Sequence, residues 1–428
     1  MKRFLACLLV VIALAGSLAA MPAAAAQPRW VSAWSTSPVD ASLSEIGALS
    51  GVSVPTVDVS NRVVVRPTLS GDQVRLVFSN EYSRFPLVIS ACSAGRSVRG
   101  DAAVSPCSMQ TVRFHGLGCV VIPAGARVTS DPVCMTVTAG EALAVTTYYR
   151  GLSAMRTIGL IGGRSYASVG NRTHSPSMLG ALPLNLTADS GAYDVIPCLC
   201  EIDVRSADPG ACACVVFGDS TVANEIPRML ASRLRENGLQ NVSVTQAAIK
   251  GDRLCFDGVG KLASITGRAG VDRFAADVLD QAGVTSVIVK IGINDIIHPQ
   301  LKSKQGTAPY ASFKRLTADF AALVEMAHAR GVKVYFAELT PWKGYTRNLF
   351  GITGEDIRWT AEADALRVRL NDWLRSDACP ADGVVLFPSL SDPGDPAALA
   401  PAYTTDGVHF TDAGAQLVAD TIPLEWFR

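Results

Sequence analysis

The sequence has no excess of charge of either sign, no long apolar run beyond its first residues, and few histidines. Its 38 basic and 38 acidic residues balance and form no lysine or arginine cluster, which argues against a nucleic acid as partner and against a membrane-surface patch. Charged residues make up 18% and hydrophobic residues 49% of the 428 positions, so we expect a large buried core rather than disorder. With only five histidines, there are few candidates for a general base.

The one long apolar run lies at the N-terminus. Residues 1–26 combine a basic start, an apolar stretch and a final region of small residues, which is the pattern of a secretory signal. We expect cleavage near the bond between Ala26 and Gln27, a secreted or cell-surface product, and no stable membrane anchor once the signal is removed. The alternative is a retained segment that spans the bilayer.

Ten of the eleven cysteines follow the predicted signal, and an even number in an exported protein favours disulfides. Two pairs are spaced by one residue, Cys198 with Cys200 and Cys212 with Cys214. Side chains at i and i+2 of a strand share a face, so the two segments could be bridged if they pair. A metal site is the alternative interpretation, although this spacing differs from the usual zinc knuckle.

After the signal we expect two domains, residues 27–208 and 209–428. The first has short β segments between turn residues and no long amphipathic helical pattern, which predicts an all-β sandwich or jelly roll. Its predicted strands are 63–65, 74–78, 87–89, 111–114 and 143–149. Residues 162–190 are rich in glycine, serine, asparagine and proline, and are predicted to form a loop or linker.

The second domain alternates apolar strands with helices, which predicts a parallel sheet covered on both faces. The predicted strands are 212–217, 242–245, 284–291, 332–339 and 384–387, and the predicted helices are 224–236, 271–282, 310–330 and 360–376. In open α/β sheets of this kind, ligands bind at the carboxyl edge of the strands.

Four short motifs of this domain, residues 217–221, 249–252, 292–295 and 406–409, supply the parts of an acyl-transfer site. Such a site needs a hydroxyl nucleophile, a base, a carboxylate that orients the base, and donors for the oxyanion. The first three motifs follow predicted strands. Each motif alone is weak, and it is their occurrence together, in order, that points to catalysis.

Ser220 is the predicted nucleophile, because it follows a buried strand and precedes a helix, so that its hydroxyl lies at the sheet edge. By itself, a Gly-Asp-Ser sequence is more often a turn or a helix cap. No Gly-x-Ser-x-Gly elbow surrounds Ser220, which argues against an α/β-hydrolase.

His409 is the predicted general base and Asp406 the carboxylate that orients it, because a short loop before the last helix presents both to one point. Without the other motifs, the two would be interpreted as an exposed loop pair. Among the other histidines, His328 lies on a predicted helix, His115 lies in the β region, and His298 follows the third motif, where it could line the same cleft.

We predict that Gly251 and Asn294, with the backbone N–H of Ser220, bind the oxyanion. Gly251 permits close approach of its backbone, and Asn294 offers an amide donor. Either residue alone is ordinary turn chemistry. The neighbouring Asp219 and Asp295 are interpreted as structural acceptors.

These motifs resemble those of the SGNH, or GDSL-type, hydrolase family, whose four blocks contribute a serine, a glycine, an asparagine and a histidine. The matching residues are Ser220, Gly251, Asn294 and His409, with Asp406 as the triad acid. The resemblance covers roughly residues 211–428 and implies a three-layer α/β/α sandwich around a parallel sheet of about five strands. Residues 30–34 and 74–80 also look like the secreted bacterial esterase branch, in which a β domain precedes the hydrolase domain.

The chain departs from the family pattern at two places. Where the second block usually reads Asn-x-Gly-Ile-x-Gly, residues 246–251 place Lys250 beside the oxyanion glycine, so that Lys250 either tunes the pocket or points to solvent. Residues 221–225 replace the usual glycine-rich continuation after Ser220. Neither change removes a catalytic atom.

The resemblance implies a serine esterase that needs no metal or cofactor and acts on a small-molecule or polysaccharide ester. Our first expectation is hydrolysis of short-chain, acetyl-type esters on carbohydrate, suggested by export and by a β domain that could extend the cleft. A lipase or lysophospholipase is the alternative, with residues 342–359 as lid or acyl pocket. A third alternative is a catalytically silent carbohydrate-binding protein on the same scaffold.

Overall fold

The structure is a computed structural model. It describes residues 28–41, 57–153, 155–178, 180–188, 191–223, 225–260, 263–301, 308–345, 358–387 and 390–428. The predicted signal at residues 1–26 lies outside the described residues. The N-terminal region comprises residues 28–208 and the C-terminal region residues 209–428.

The N-terminal region is formed by antiparallel strands. They are β1 Arg29–Ser35, β2 Val39–Asp40, β3 Val59–Val65, β4 Gly71–Ser79, β5 Leu87–Ile89, β6 Ala91–Arg96, β7 Gln110–Thr111, β8 Val120–Ile122, β9 Arg127–Thr129, β10 Val133–Val137, β11 Leu143–Tyr149, β12 Thr157–Gly159, β13 Gly163–Val169, β14 Leu182–Pro183, β15 Asn185–Ala188, β16 Gly191–Asp194, β17 Ile196–Pro197 and β18 Leu199–Ser206. A five-stranded sheet has the order β1-β18-β4-β10, with β9 also paired to β4, and a six-stranded sheet has the order β14-β13-β3-β11-β6-β7.

The two large sheets share one buried core. Val63 and Val65 of β3 and Val145 of β11, in the six-stranded sheet, belong to the same hydrophobic cluster as Leu76 and Phe78 of β4, in the five-stranded sheet. Because side chains at i and i+2 point to one face of a strand, each sheet turns one face toward this core. The predicted all-β character of the N-terminal region is thereby confirmed.

The prediction of a loop or linker over residues 162–190 is wrong in part. Residues Gly163–Val169 form β13, which pairs with β3 along its whole length and with β14 on its other side. This segment reads Gly-Arg-Ser-Tyr-Ala-Ser-Val, without the apolar alternation that marks a strand, so it is held by backbone pairing that a local pattern does not reveal. The strand predicted at 111–114 is also shorter, ending at Thr111.

The C-terminal region alternates strands with helices, as the sequence predicts. Its strands are β19 Cys212–Gly218, β20 Val242–Ala248, β21 Val284–Lys290, β22 Lys333–Ala337, β23 Gly383–Val385, β24 Ser391–Asp392 and β25 Asp395–Leu399, and its helices are α1 Glu225–Glu236, α2 Gly270–Phe274, α3 Ile293–Ile297, α4 Phe313–His328, α5 Ala361–Leu374 and α6 Asp412–Thr421. The side chains of Ser312, Thr360 and Thr411 cap the N-termini of α4, α5 and α6, which explains where these helices begin.

Five parallel strands form the central sheet, in the order β20-β19-β21-β22-β23. Helices cover both of its faces: Val215 and Phe217 of β19 pack in one cluster with residues of α4 and α5. Cys214 and Val216 pack in a second cluster with residues of α1 and α6. The five-stranded parallel sheet agrees with the prediction, and its carboxyl edge is where the predicted site residues lie.

The two regions pack directly against each other. Ala211 and Ala213, at the start of β19, belong to the core of the N-terminal region, and the Ser32 N–H donates to the Ala282 carbonyl at 2.8 Å. At Gly283, a Cβ would come within 3.0 Å of the Val31 side chain, so glycine permits this close approach. The boundary expected between residues 208 and 209 falls in the turn between β18 and β19 and stays a prediction.

The prediction of disulfides finds no support, since all ten cysteines after the predicted signal are free thiols. Strand β18, which holds Cys200, pairs with β1 and β4, whereas β19, which holds Cys212 and Cys214, pairs with β20 and β21. The two Cys-x-Cys segments therefore lack the pairing that a bridge requires. Within the described ranges, no group of three or more histidine, cysteine or acidic side chains is placed to hold a metal, and no helix is long and apolar enough to cross a bilayer.

Candidate active site

Ser220, His409 and Asp406 form one hydrogen-bonded chain. The Nε2 of His409 lies 2.8 Å from Ser220 Oγ, and its Nδ1 lies 2.7 Å from Asp406 Oδ2. Ser220 follows β19 at the carboxyl edge of the sheet, and the other two residues come from the loop before α6. The side chain of His409 is 16% exposed and that of Asp406 is 10% exposed, so the imidazole can be reached from solvent while the carboxylate is largely covered.

Asp406 is held in its ionised form. Burial by itself would raise the pKa of Asp406, but the bond from the His409 ring and the backbone N–H groups of His409 and Val408 outweigh it and leave this pKa below its usual value. The two N–H groups donate to Oδ1 at 2.9 and 3.1 Å. With a carboxylate fixed at Nδ1, the Nε2 of His409 faces Ser220 as proton acceptor.

The loop that carries His409 is fixed by a glycine. Gly407 has a φ of 95°, and a Cβ there would come within 2.7 Å of the backbone of Gly344 and Tyr345, so the two loops approach only because this residue is glycine. Thr404 Oγ1 donates to the His409 carbonyl at 2.8 Å and accepts from the Gly407 N–H at 2.9 Å. The Tyr345 ring meets the imidazole at a steep angle, with 5.9 Å between the ring centroids.

The turn that carries Ser220 is packed as tightly. A Cβ at Gly218 would overlap the carbonyl oxygen of Lys290 in the neighbouring strand β21, so β19 ends in glycine. Asp219 is fully buried, and its Oδ1 accepts from both the N–H and the hydroxyl of Thr221 at 2.8 Å. Asp219 therefore holds the turn around the nucleophile, as the sequence interpretation expected.

Of the predicted oxyanion residues, Gly251 lies on the loop after β20 and Asn294 lies in the first turn of α3. The Ile249 N–H donates to the Gly218 carbonyl at 3.1 Å, which joins the loop of Gly251 to the turn of the nucleophile. Asn294, at the start of α3, donates from Nδ2 to the Asp252 carbonyl at 2.8 Å. Because a side-chain amide carries two N–H donors, this bond orients the group and leaves its second N–H for a ligand.

Asp295 accepts hydrogen bonds from the backbone and takes no part in the chain from Ser220 to Asp406. Its Oδ2 and Oδ1 accept from the N–H groups of Leu254 and Cys255 at 2.6 and 3.1 Å. Asp295 therefore fixes the segment after Gly251 against α3, which agrees with the structural role expected for it.

The sequence analysis missed Arg273, a buried cation behind the site. Its guanidinium donates twice to Asp252 Oδ2, at 2.8 and 2.6 Å, and also to Asp277 Oδ2 at 3.1 Å. It reaches the carbonyls of Gly218 and Ala247 at 3.1 and 2.9 Å, so it joins the ends of β19 and β20. Arg273 lies 21 positions after Asp252 on a short helix, and no spacing rule marks such a pair in the sequence.

Lys290 is a second residue that the sequence analysis missed. It ends β21, is 1% exposed, and donates from Nζ to Thr221 Oγ1 at 2.7 Å, so it supports the turn of Ser220 from below. Burial lowers the pKa of Lys290 to about 8, and the nearby Asp219 opposes this shift. A signal for it existed, because a lysine that ends an apolar buried strand is rare unless something in the interior contacts it.

The other histidines considered from the sequence lie apart from this chain of bonds. His328 pairs with Asp382 at 2.9 Å, and His115 is exposed in the N-terminal region. His298 is buried in the 3₁₀ turn that follows α3. His409 is the histidine that the structure brings to Ser220.

Comparison with known proteins gives a match at the family level. The model of the GDSL-like Lipase/Acylhydrolase family matches residues 216–417. No curated protein matches the chain. Among solved structures, the chain is similar to a GDSL-like lipase from Bacteroides thetaiotaomicron, at 20% identity over 49% of this chain and 85% of that one, with a TM-score of 0.34.

Two further solved structures are each similar to about half of the chain. The acetyl xylan esterase AlAXEase is 17% identical over 49% of this chain and 97% of that one, with a TM-score of 0.34. The psychrotrophic esterase EstA from Pseudoalteromonas sp. is 14% identical over 49% and 93%, with a TM-score of 0.33. Residues 216–417 hold every predicted site residue, so the match to the GDSL-like lipase/acylhydrolase family, which supports a carboxylic ester hydrolase, covers the whole candidate site.

Proposed function

We propose that the protein is an exported serine esterase that hydrolyses short-chain, acetyl-type esters on carbohydrate. The observation that carries the proposal is the hydrogen-bonded chain from Ser220 through His409 to Asp406 at the carboxyl edge of the parallel sheet. Export rests on the signal pattern of residues 1–26. The catalytic roles follow from the chemistry that this geometry permits.

Ser220 Oγ attacks the ester carbonyl while His409 Nε2 takes its proton, and a new bond from Oγ to the acyl carbon forms. The tetrahedral intermediate then expels the alcohol, which receives the proton from His409. Water repeats the sequence on the acyl-enzyme and releases the acid and free Ser220. Asp406 keeps its charge throughout and stabilises the imidazolium that forms at each step.

The oxyanion is bound by the N–H groups of Ser220 and Gly251 and by the second N–H of Asn294. These donors are set in advance, since the Asn294 amide already bonds the Asp252 carbonyl. Loss of one such donor typically raises the barrier by about 2.7–4 kcal/mol.

The proposed substrate class draws on the position of the N-terminal region. A cavity of about 710 Å³ between the two regions is lined by residues of both, including Lys250, which precedes the oxyanion glycine. A small ester does not need the extended surface of this cavity, whereas an ester group on a long, hydrated carbohydrate chain can use it. The β region therefore serves substrate contact in this proposal.

A lipase or lysophospholipase remains the second candidate, and the observations for it are few. Of the residues suggested for a lid or acyl pocket, Trp342 is fully buried in the core beside β22 and so is not a mobile lid residue. Tyr345 contacts His409. Leu349, Phe350 and Ile352 lie outside the described residues. A catalytically silent binding protein is disfavoured by the hydrogen-bonded catalytic side chains.

The first test is hydrolysis of p-nitrophenyl acetate, butyrate and octanoate by the protein without its signal, alongside Ser220→Ala. We expect acetate to be the best substrate and turnover to fall by at least about 10⁴-fold in the variant. Ser177→Ala, at an exposed serine of the N-terminal region, is the matched control and should keep full activity. Octanoate as the best substrate would favour the lipase, and turnover unaffected by Ser220→Ala would overturn the mechanism.

A further inference from the structure

The cavity between the two regions concentrates positive charge. One wall comes from the N-terminal region and the other from α1, β20 and the loop after β20. Six basic residues line it: Arg66, Arg99, Arg164, Arg228, Arg235 and Lys250. The acidic residues that line it are Asp194 and Glu225. Since acidic and basic residues are equal in number over the whole chain, this local excess is set by the fold and not by composition.

The arginines of the cavity are largely unpaired. None of the five lies within an ion-pair distance of an acidic group among the residues that the structure describes. Arg66 donates from one Nη to the Gly140 carbonyl at 2.8 Å, which leaves its other N–H groups available. Arg66, Arg99, Arg164 and Arg228 are exposed. An arginine stays charged at any physiological pH and binds carboxylate or sulfate oxygens with two parallel hydrogen bonds.

The two walls carry the charge equally. Arg66, Arg99 and Arg164 come from the N-terminal region, and Arg228, Arg235 and Lys250 come from the C-terminal region. A ligand that satisfies both walls must carry several anionic groups along its length and enter between them. A single small anion reaches too few of these groups, and a flat membrane surface cannot enter an interdomain cavity.

The cavity also adjoins the catalytic loops through the chain. Lys250 is the neighbour of Gly251, the predicted oxyanion residue, and Glu225 begins α1, five positions after Ser220. Burial raises the pKa of Asp194, and the charges of Arg164 and Lys250 oppose this shift, so Asp194 lies near a basic residue of each wall. Lys250 therefore places one end of the cavity beside the loop of Gly251, at the carboxyl edge of the sheet.

From this placement we propose that the cavity is a subsite for an acidic oligosaccharide, whose carboxylate-bearing sugars hold the chain while an ester on it reaches Ser220. The proposal rests on the esterase function proposed above and specifies its substrate class. In this proposal Lys250, beside the oxyanion glycine, extends the basic surface of the cavity up to the oxyanion loop.

The binding test uses the full chain without its signal, carrying Ser220→Ala so that no turnover occurs, and isothermal titration with oligogalacturonate. We expect binding that weakens with added salt and that falls by at least about tenfold in the additional variant Arg164→Glu/Arg228→Glu. Maltooligosaccharide of equal length is the neutral probe. Arg84→Glu, at an exposed arginine that does not line the cavity, is the matched charge control and should bind as the parent does.

The kinetic test uses protein that keeps Ser220 and compares its activity on acetylated oligogalacturonate with its activity on p-nitrophenyl acetate. We expect Arg164→Glu/Arg228→Glu to lower the ratio of kcat/KM on the acidic ester to that on p-nitrophenyl acetate by about tenfold, mainly through KM. Active enzyme that binds the acidic and neutral oligosaccharides alike would overturn the subsite but not the esterase. Arginine-dependent binding without any turnover would overturn the esterase instead.

Two further outcomes would also overturn the proposal. Inorganic phosphate that binds the cavity as tightly as the oligosaccharide would show a site for small anions. Stronger arginine-dependent binding to phosphatidylglycerol vesicles than to oligogalacturonate would show a lipid surface as the partner.

Discussion

The two regions of the molecule bury arginine in different company. In the N-terminal region, Arg62 is fully buried and donates to the Thr146 hydroxyl at 2.7 Å and to the backbone carbonyls of residues 102, 172, 175 and 176. In the C-terminal region, Arg273 is equally buried but is paired with two carboxylates, Asp252 and Asp277. The Arg62 guanidinium donates hydrogen bonds to neutral groups of several loops. The Arg273 guanidinium forms ion pairs behind the catalytic loops.

The difference shows in the acid–base behaviour of the two groups. Burial lowers the pKa of Arg62 to about 10. Burial also acts to lower the pKa of Arg273, but Asp252 and Asp277 outweigh it and raise that pKa above its ordinary value. Both side chains are charged at neutral pH. A buried cation can thus be solvated either by carbonyls or by carboxylates, and only carboxylates leave a buried charge behind when the cation is removed.

Arg273→Met tests this point with the largest expected effect. It leaves Asp252 buried without its cation, which typically costs about 3–5 kcal/mol of unfolding free energy, while Asp277 keeps its ion pair with Arg127. The measurement is urea unfolding at pH 7, followed by circular dichroism. A loss below about 1 kcal/mol would show that the Asp252 carboxylate is solvated in some other way.

Arg62→Met is the matched substitution in the N-terminal region, and we expect a smaller loss, about 1–3 kcal/mol. Two of the carbonyls keep another partner, because Pro176 O also accepts from the Val104 N–H at 2.7 Å and Arg172 O from the Ser175 N–H at 3.0 Å. The substitution leaves no buried anion without a cation. The same urea experiment would contradict the comparison if Arg62→Met cost as much as Arg273→Met.

Lys290 is a third buried cation. It lies in the C-terminal region, as Arg273 does, but it bonds to a neutral hydroxyl, as Arg62 does. Its pKa is lowered to about 8 by burial, so between pH 8 and its usual value near 10.5 the unfolded state binds more protons than the folded state. Stability contributed by this group is therefore least below pH 8 and rises with pH. We expect a rise on the order of 1 kcal/mol between pH 8 and 9.

Lys290→Met should remove that rise, and it should lower kcat on p-nitrophenyl acetate because Thr221 loses its donor beneath Ser220. Urea unfolding of parent and variant at several pH values from 7 to 10 measures the first effect. Parallel pH profiles of parent and variant would show that Lys290 does not titrate in this range. Lys333→Met, at an exposed lysine of the adjacent strand β22, is the control.

Much of the C-terminal region could be predicted because its signals are local. The runs that form β19 to β23 are apolar and bounded by helices. The motifs around Ser220, Gly251 and Asn294 follow strand ends, and the motif of His409 lies just before the last helix. Strand β13 could not be predicted, because its polar side chains reveal nothing of the backbone pairing with β3. The prediction of disulfides from cysteine counts finds no support for a related reason, since counts do not say which strands pair.

The partners of the buried charged side chains could not be predicted from the sequence either. Arg273 and Lys290 acquire their partners through the sheet, across 21 and 69 positions of chain. The basic cavity is assembled from residues 66 to 250, so the sequence contains no basic cluster although the folded surface does. Patterns within one element are readable, whereas neighbours that come from distant elements depend on the topology.

The contact between Gly407 and the backbone of Gly344 and Tyr345 has a consequence for changing this enzyme's selectivity. Two loops that touch backbone to backbone have no side chain between them to absorb a change in either one. A substitution chosen in the segment of Tyr345 to admit a larger acyl group will therefore alter the alignment of His409. Gains selected in one loop are expected to be epistatic with the sequence of the other, so productive libraries must randomise both loops together.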